Sequence, residues 1–307
     1  ADGGPLVWTG SGRLTLTGGI TVNKLEDLRS IPLIQGNLGL PASATISVEK
    51  FIGSTVLGTL GHANEQVGLT INSHVSGGAS LTKTGDGALQ LAGTSTSVAA
   101  IAVNAGALVL STANYPSAKV TLAADTVLDM RGQTNGQIGS VVSASSSAAI
   151  KNFSLDNGGK LVTGADGTSG TFAGLIGSDY TSGKLSITKI GSGAWTLAAD
   201  NAGSILDTLQ VNGGSIVLAG ASARVGFVMT ILAEGGSLVL DNSTNVVANR
   251  LGGTTSIMTT TADRALSMRG GQLSFIGGAS AVTEAFNTVT NLEGMSAFRL
   301  TAGTAAT

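Results

Sequence analysis

Residues 81–93 read LTKTGDGALQLAG and residues 187–199 read ITKIGSGAWTLAA. Both run Thr-Lys, then Gly-x-Gly, then apolar residues alternating with small or polar ones, and Lys83 and Lys189 stand 106 residues apart. The likeness continues downstream as IAVNAGALVLS (101–111) and LQVNGGSIVLAG (209–220), with the common form apolar-x-Val-Asn-x-Gly-small-apolar-Val-Leu. Variants of this second half recur at GSGRLTLTG (10–18), LDNGGKLVTG (155–164), AEGGSLVLDN (233–242) and MRGGQLSFIG (268–277). A chain that restates one short unit is built by stacking, because a single unit cannot bury its own apolar face.

Each unit is a glycine turn followed by a brief alternation: Leu14/Leu16, Leu89/Leu91, Leu108/Leu110, Trp195/Leu197, Ile216/Leu218, Leu238/Leu240 and Leu273/Phe275. Alternation with period two over four or five residues predicts a half-buried strand. Neighbouring turns lie 19 to 22 residues apart, from Gly87 to Gly106 and from Gly214 to Gly236. Short strands, Gly/Asn corners and almost no helical pattern predict one all-β domain over 1–307. Its architecture would be a single-stranded right-handed parallel β-helix, or β-solenoid, with like residues stacked at the ~4.8 Å strand spacing. Leu, Ile and Val are expected inside, with Thr, Ser and Asn outside. An antiparallel sandwich or barrel is the rival. It would need two-residue hairpins, for which Asn-Gly at 135–136, 157–158 and 212–213 are the candidates.

Composition narrows the function. Only 11% of the 307 residues are charged and 46 are glycine, against about 25% and about 7% in average domains. Aromatics are 4%, so the core must be aliphatic. Sixteen Lys+Arg against eighteen Asp+Glu give a net charge of −2 without a basic run, which disfavours nucleic acid and anionic membranes as partners. No stretch approaches the ~20 apolar residues of a transmembrane helix. There is no Cys, hence no disulfide and no thiolate metal site. The opening Ala1-Asp2-Gly3-Gly4 fits a processed or excised chain.

LTKTGDGALQLAG…IAVNAGALVL and ITKIGSGAWTLAA…LQVNGGSIVLAG resemble the autotransporter-associated β-strand repeat, roughly L-T-K-x-G-x-G-x-L-x-L-x-G…T-x-[VI]-N-x-G-x-L-x-[VL]. The intervening VTLAADTVLDMRGQTNGQIGSVV and the later GGSLVLDNSTNVVANRLGG…LSMRGGQLSFIGG resemble the coils that accompany such repeats, so the resemblance covers residues 81–307. Before residue 81 only WTGSGRLTLTGG matches. The resemblance implies a β-helical passenger or stalk, extracellular or at the cell surface of a Gram-negative-type bacterium. It implies no catalytic residues.

Residues 24–66 depart from the pattern. They hold Lys24, Glu26, Asp27, Arg29, Glu49, Lys50 and Glu65 with Pro32 and Pro41, and KLEDLRSI could form a helical turn or two. The expectation is a loop or lateral insertion that caps the first coils, since an open solenoid end exposes strand edges. A docking surface for a neighbouring subunit or a host or matrix ligand is the sharper reading. FRLTAGTAAT ends without a charged or helical cap, which makes head-to-tail stacking of copies a live expectation. A translocating barrel would need aromatic girdles that this composition lacks.

No catalytic, cofactor or metal site is expected. The acids Asp125, Asp129, Asp156, Asp166, Asp179, Asp200 and Asp207 are scattered. Asp125 and Asp129, four apart on one short strand, could approach each other only across a corner. A polysaccharide lyase or hydrolase would instead need paired carboxylates and sugar-stacking aromatics. Turn-stabilising contacts account for scattered Asp. GADGTSG (164–170) lacks the spaced acids of a calcium loop. His62 and His74 read as exposed loop residues without a third ligand, and the Gly-x-Gly pairs do not open helices, so no phosphate cradle is indicated. Trp195 replaces a Leu and reads as core filling. The Thr15/Thr17 pair is not continued, because Gln90, Val109 and Val217 hold the comparable outward positions, which disfavours ice binding. The reading is a structural, non-enzymatic solenoid with no cofactor. It is either a stalk or self-assembling fibre subunit, partnered by itself, or a passenger segment of an autotransporter-type adhesin. A β-helical carbohydrate-active enzyme is the alternative from another class.

Overall fold

The computed structural model describes residues 6–23, 31–40, 43–50, 67–77, 80–134, 136–154, 157–178, 183–204, 206–233, 235–252 and 264–303. These residues form a β-solenoid of parallel strands, joined in sheets of eight, twelve, six and two strands. Successive strands of the chain fall in different sheets, while hydrogen-bonded neighbours come from successive coils. Asn212-Gly213 illustrates why the hairpin alternative fails. It joins Leu206–Val211 to Ser215–Leu218, which belong to different sheets. Asn157-Gly158 merely leads into Gly159–Thr163, and Asn135 lies outside the described residues.

Register columns resolve the coil into three faces. On the first, Leu69, Leu89, Leu108, Leu128, Ile150 and Ile176 stack in turn, with Ile34, Ile71, Leu91 and Leu110 in the column beside them. On the second, a column runs Arg13, Asn37, His74, Thr94, Asn114, Gln137, Val162, Thr188, Gln210, Ile231, Ser267 and Thr290 without a break. On the third, Ile20, Ile46, Lys83, Val103 and Leu122 lead through Ser143 to Phe172, Leu197, Leu218, Leu240, Phe275 and Leu300. Asn114–Leu122 and Gly136–Val142 bend across the corner between the second and third faces, which is why these walls share one hydrogen-bonded sheet. Inward residues of all three faces merge into one aliphatic core. Burial of each Leu, Ile or Val contributes about 1.5–3 kcal/mol.

The charge-dense stretch 24–66 is only partly a departure from this plan. Leu33–Gly39 pairs with Leu6–Thr15 below and Val67–Ser76 above, and Ala44–Val48 pairs with Ile20–Val22 and Ser80–Thr84. These strands are ordinary rungs whose alternation is short and flanked by charges. The helical turns expected in KLEDLRSI fall on residues 24–30, outside the described residues, as do 51–66. The first face thins toward the C-terminal side, from strands to the two-residue pair Asp200–Asn201 with Arg224–Val225. Beyond it the described residues are joined by single backbone bonds, Val225 N–H to Arg250 O and Asn249 N–H to Thr283 O.

Candidate functional site

Lys83 and Lys189 each occupy the last inward position of a strand, just before a Gly-x-Gly corner. There the chain turns, so the corner carbonyls leave the ladder and point inward. The first glycine of each pair, Gly85 and Gly191, has φ of +72° and +68°, open to glycine at little cost. The second, Gly87 or Gly193, lies so close to the coil below that a Cβ would collide with the carbonyl of Glu49 or Thr168. Into this corner the lysine stem runs through the apolar interior and delivers its ammonium.

Lys83 Nζ donates to Thr84 O (2.8 Å), Gly85 O (2.6 Å) and, one coil on, Ala105 O (3.1 Å). Lys189 Nζ repeats this with Ile190 O (2.6 Å), Gly191 O (3.1 Å) and Gly213 O of the next coil (3.4 Å). Ala105 and Gly213 are the residues after Asn in the Val-Asn-x-Gly half of the repeat. The two halves of the repeated phrase are therefore donor and acceptor of one inter-coil staple. The copies sit on different walls: Lys83 belongs to the third-face column, whereas Lys189 stacks between Thr163 and Val211 on the second. The phrase encodes a corner, and the corner has moved by one face.

Both ammoniums are buried. Burial pulls Lys83 from its ordinary value down to about 8, against the opposing Asp86 and Glu49 charges. It lowers Lys189 as well, opposed by Asp166. All three protons of each ammonium are directed at carbonyls, so the arrangement binds backbone to backbone.

The candidate acids are spent in the same way. Asp129, buried, accepts from Arg131 N–H (2.8 Å), Phe153 N–H (3.1 Å) and Arg131 Nε (2.8 Å). Asp125 is an exposed turn residue rather than a strand mate of Asp129, with φ of +58° and its N–H on Ser147 Oγ. In GADGTSG, Asp166 accepts from Ser140 Oγ (2.7 Å), Thr168 Oγ1 (3.0 Å) and Thr168 N–H (3.0 Å), which closes its own turn. Asp200 accepts from Ala202 N–H (3.0 Å) and pairs with Arg224 at 3.3 Å. Asp207 accepts from Ser186 Oγ (3.3 Å). Asp156, Asp179 and His62 lie outside the described residues. Among the described residues no three His, Cys, Asp or Glu come together as metal ligands.

His74 is exposed as expected, but on the strand Val67–Ser76 rather than in a loop, with Nδ1 3.2 Å from Thr94 Oγ1. Thr15 is followed along its column by Gly39 and Ser76, so the threonine pair stays isolated. Trp195 is core. It pairs with Gly170, its indole Nε1 donates to Val141 O (2.9 Å), and the Phe172 ring lies 6.3 Å away.

No family model matches the chain, and neither does a curated protein or a solved structure. Function must therefore be argued from the coils themselves. Among the described residues no helix is long and apolar enough to cross a membrane.

Three features escaped the sequence. Arg250 is fully buried, and its guanidinium donates to Asn242 Oδ1 (2.9 Å), Ala223 O (2.9 Å), Asn245 O (2.8 Å) and, from both terminal nitrogens, Gly220 O (3.2 Å). Glu284 clasps the backbone beside it, accepting from Arg250 N–H and Leu251 N–H at 2.8 Å each, and burial raises its carboxyl above the ordinary value. Asn152 ties neighbouring coils, accepting from Gly132 N–H (2.6 Å) and donating to Asn157 O and Gly183 O (2.8 Å each). Finally, Val67, Ala88, Ala107 and Val109 form a second buried apolar cluster on the outward side of the first face. Val109 is thus outward yet covered. Its signal was the unbroken apolar run Ala107–Leu110.

Proposed function

We propose that this chain is a structural, non-catalytic β-solenoid of an extracellular or cell-surface protein from a Gram-negative-type bacterium, serving as a stalk or as a fibre subunit that stacks head to tail. The observation that carries this reading is the interior itself. Two of its register columns run through all the described coils, and its buried ions are consumed in holding coil to coil. Stiffness then grows coil by coil, as nearest-neighbour stacking requires. Phe298 and Leu300 are 58% and 81% exposed, on a strand edge that a further parallel rung, of this or another chain, would cover. The resemblance of 81–307 to the autotransporter-associated repeat supports a second reading, a passenger segment of an adhesin, with 24–66 as the place for a host or matrix ligand. A carbohydrate-active enzyme would need acids converging on one face, whereas Asp129, Asp166, Asp200 and Asp207 stand at separate places and are each engaged by nearby donors.

Electron microscopy of the purified chain across a concentration series tests the proposal. Filaments with an axial repeat near one molecule's length are expected. Isolated short rods at every concentration would overturn the fibre and leave the passenger reading.

A further inference from the structure

Asn157-Gly158 and Asn212-Gly213 close no hairpin in the solenoid, but an Asn followed by Gly carries a reaction of its own. The backbone nitrogen of the glycine is covalently within reach of the Asn side-chain carbonyl carbon, and glycine puts no Cβ in the path of attack. Asp-Gly can react in the same way, and the described residues hold two such steps, Asp86-Gly87 and Asp166-Gly167.

The structure sorts these four steps. Gly87 N–H donates to Val48 O at 2.8 Å, and Gly167 N–H donates to Gly164 O at 3.0 Å. A nitrogen whose proton is committed to a carbonyl cannot react without breaking that bond. Gly158 and Gly213 differ, because no acceptor among the described residues takes their N–H. Asn157 and Gly158 are exposed and Asn212 and Gly213 half-buried, so water reaches both steps. At the second, Gln210 Nε2 donates to Asn212 Oδ1 at 2.8 Å. That bond draws electrons from the carbon under attack and steadies the oxyanion that attack creates.

We propose that Asn157 and Asn212 are sites of spontaneous backbone modification, each converted through a cyclic imide to aspartate or isoaspartate. The inference does not depend on the fibre reading. The glycine nitrogen gives its proton to water or hydroxide and bonds to Cγ of the Asn, and the Nδ2 group leaves as ammonia. Water then opens the ring. Cleavage of the new N–Cγ bond leaves aspartate. Cleavage of the original peptide bond leaves isoaspartate, with a main chain one methylene longer. Asn and water become the acid and ammonia, with no oxidant or reductant.

Both sites serve a tie. Asn157 O accepts from Asn152 Nδ2 at 2.8 Å, and in isoaspartate that carbonyl becomes a free carboxylate. Gly213 O accepts from Lys189 Nζ at 3.4 Å, and the added methylene displaces it. The matching step at the Lys83 corner is Asn104-Ala105, where the Ala Cβ hinders attack. The two copies of the staple therefore differ in lifetime: the Lys189 corner ages and the Lys83 corner does not.

Incubation of the full chain in heavy-oxygen water at mildly alkaline pH, folded or unfolded in guanidinium, tests this by peptide mapping in the mass spectrometer. Every passage through the imide, from Asn or Asp, leaves one heavy oxygen behind. Unfolding is expected to change labelling at Asn157 and Asn212 by less than about threefold, and to raise it at Asp86 and Asp166 at least tenfold. Suppression by folding at Asn157 and Asn212 as strong as at the two Asp residues would overturn the proposal. In chains converted at Asn212, Ser215 N–H, which bonds to Gly193 O at 3.3 Å, should lose hydrogen-exchange protection at least tenfold while Ala107 keeps it. Unchanged protection at Ser215 would overturn the link to the staple.

Discussion

The corner that holds Lys83 and the loop that holds Arg250 face one problem, inward-pointing carbonyls where the ladder turns, and meet it differently. At Lys83 the turn is three residues, Gly85-Asp86-Gly87, and one ammonium with three donors closes it onto the next coil. At Arg250 the chain leaves the third face at Asp241 and returns to the first near Leu251. Four carbonyl bonds and one amide bond from a planar guanidinium gather the excursion back onto Gly220 and Ala223. A point-like ammonium fits a tight corner, and a fork spans a wide one. The lysine device is written twice in the chain and the arginine device once, which is why only the first leaves a repeat.

The largest expected effect breaks the arginine side. Arg250→Met strips the guanidinium donors from the carbonyls of Gly220, Ala223 and Asn245 and leaves Asn242 Oδ1 with Val247 N–H alone. It should cost about 3–5 kcal/mol in chemical denaturation, the range for stripping one partner from a buried charged network. Lys83→Met and Lys189→Met should each cost about 2 kcal/mol, since orphaned buried carbonyls outweigh the lysine desolvation that is relieved. The double variant should show the sum, because the two corners share no partner. A markedly unequal pair would show that moving the corner from one face to another changed the device.

The pH dependence sharpens the comparison. In the folded state burial lowers Lys83 to about 8 from its ordinary 10.5. Between those values the unfolded chain binds more protons than the folded one. Stability contributed through Lys83 should therefore rise as pH increases from 8 toward 10.5. It should be lowest below pH 8, where both states are charged. The difference in unfolding free energy between the native chain and Lys83→Met, followed across that window, checks the sign. A flat difference would contradict the desolvated ammonium. Arg250 offers no such window, because a guanidinium stays charged throughout.

The smallest effect concerns Trp195. Trp195→Phe keeps most of the ring volume and removes the bond to Val141 O, for an expected loss of about 1 kcal/mol by thermal or chemical unfolding.

Much of the fold was legible because stacking amplifies local signals. Leu-x-Leu alternation and glycine spacing recur until they cannot be noise, and they located the core strands from Leu81 onward. The rungs Leu33–Gly39 and Ala44–Val48 were obscured because a charged, proline-containing flank outweighed two brief alternations. The staples were visible as residues but not as bonds. A lysine whose partners are backbone carbonyls has no partner to find in the sequence, and its acceptor lies some twenty positions on in a phrase that reads as a separate strand. Arg250, Asn242 and Glu284 occur once, in loops without period, so nothing marked them. Trp195 reads as core filler, but its bond to Val141 O, 54 residues earlier, left no sign in the sequence.

The central claim is that the repeated phrase encodes a staple between successive coils, and native-state hydrogen exchange on Lys83→Met tests it most directly. Gly87 N–H bonds to Val48 O and Ala107 N–H to Gly87 O across the Lys83 corner, while Ser215 N–H bonds to Gly193 O at the Lys189 corner. The account predicts that Gly87 and Ala107 lose protection in the variant while Ser215 keeps it. Unchanged protection at Gly87 and Ala107, or equal loss at Ser215, would contradict it.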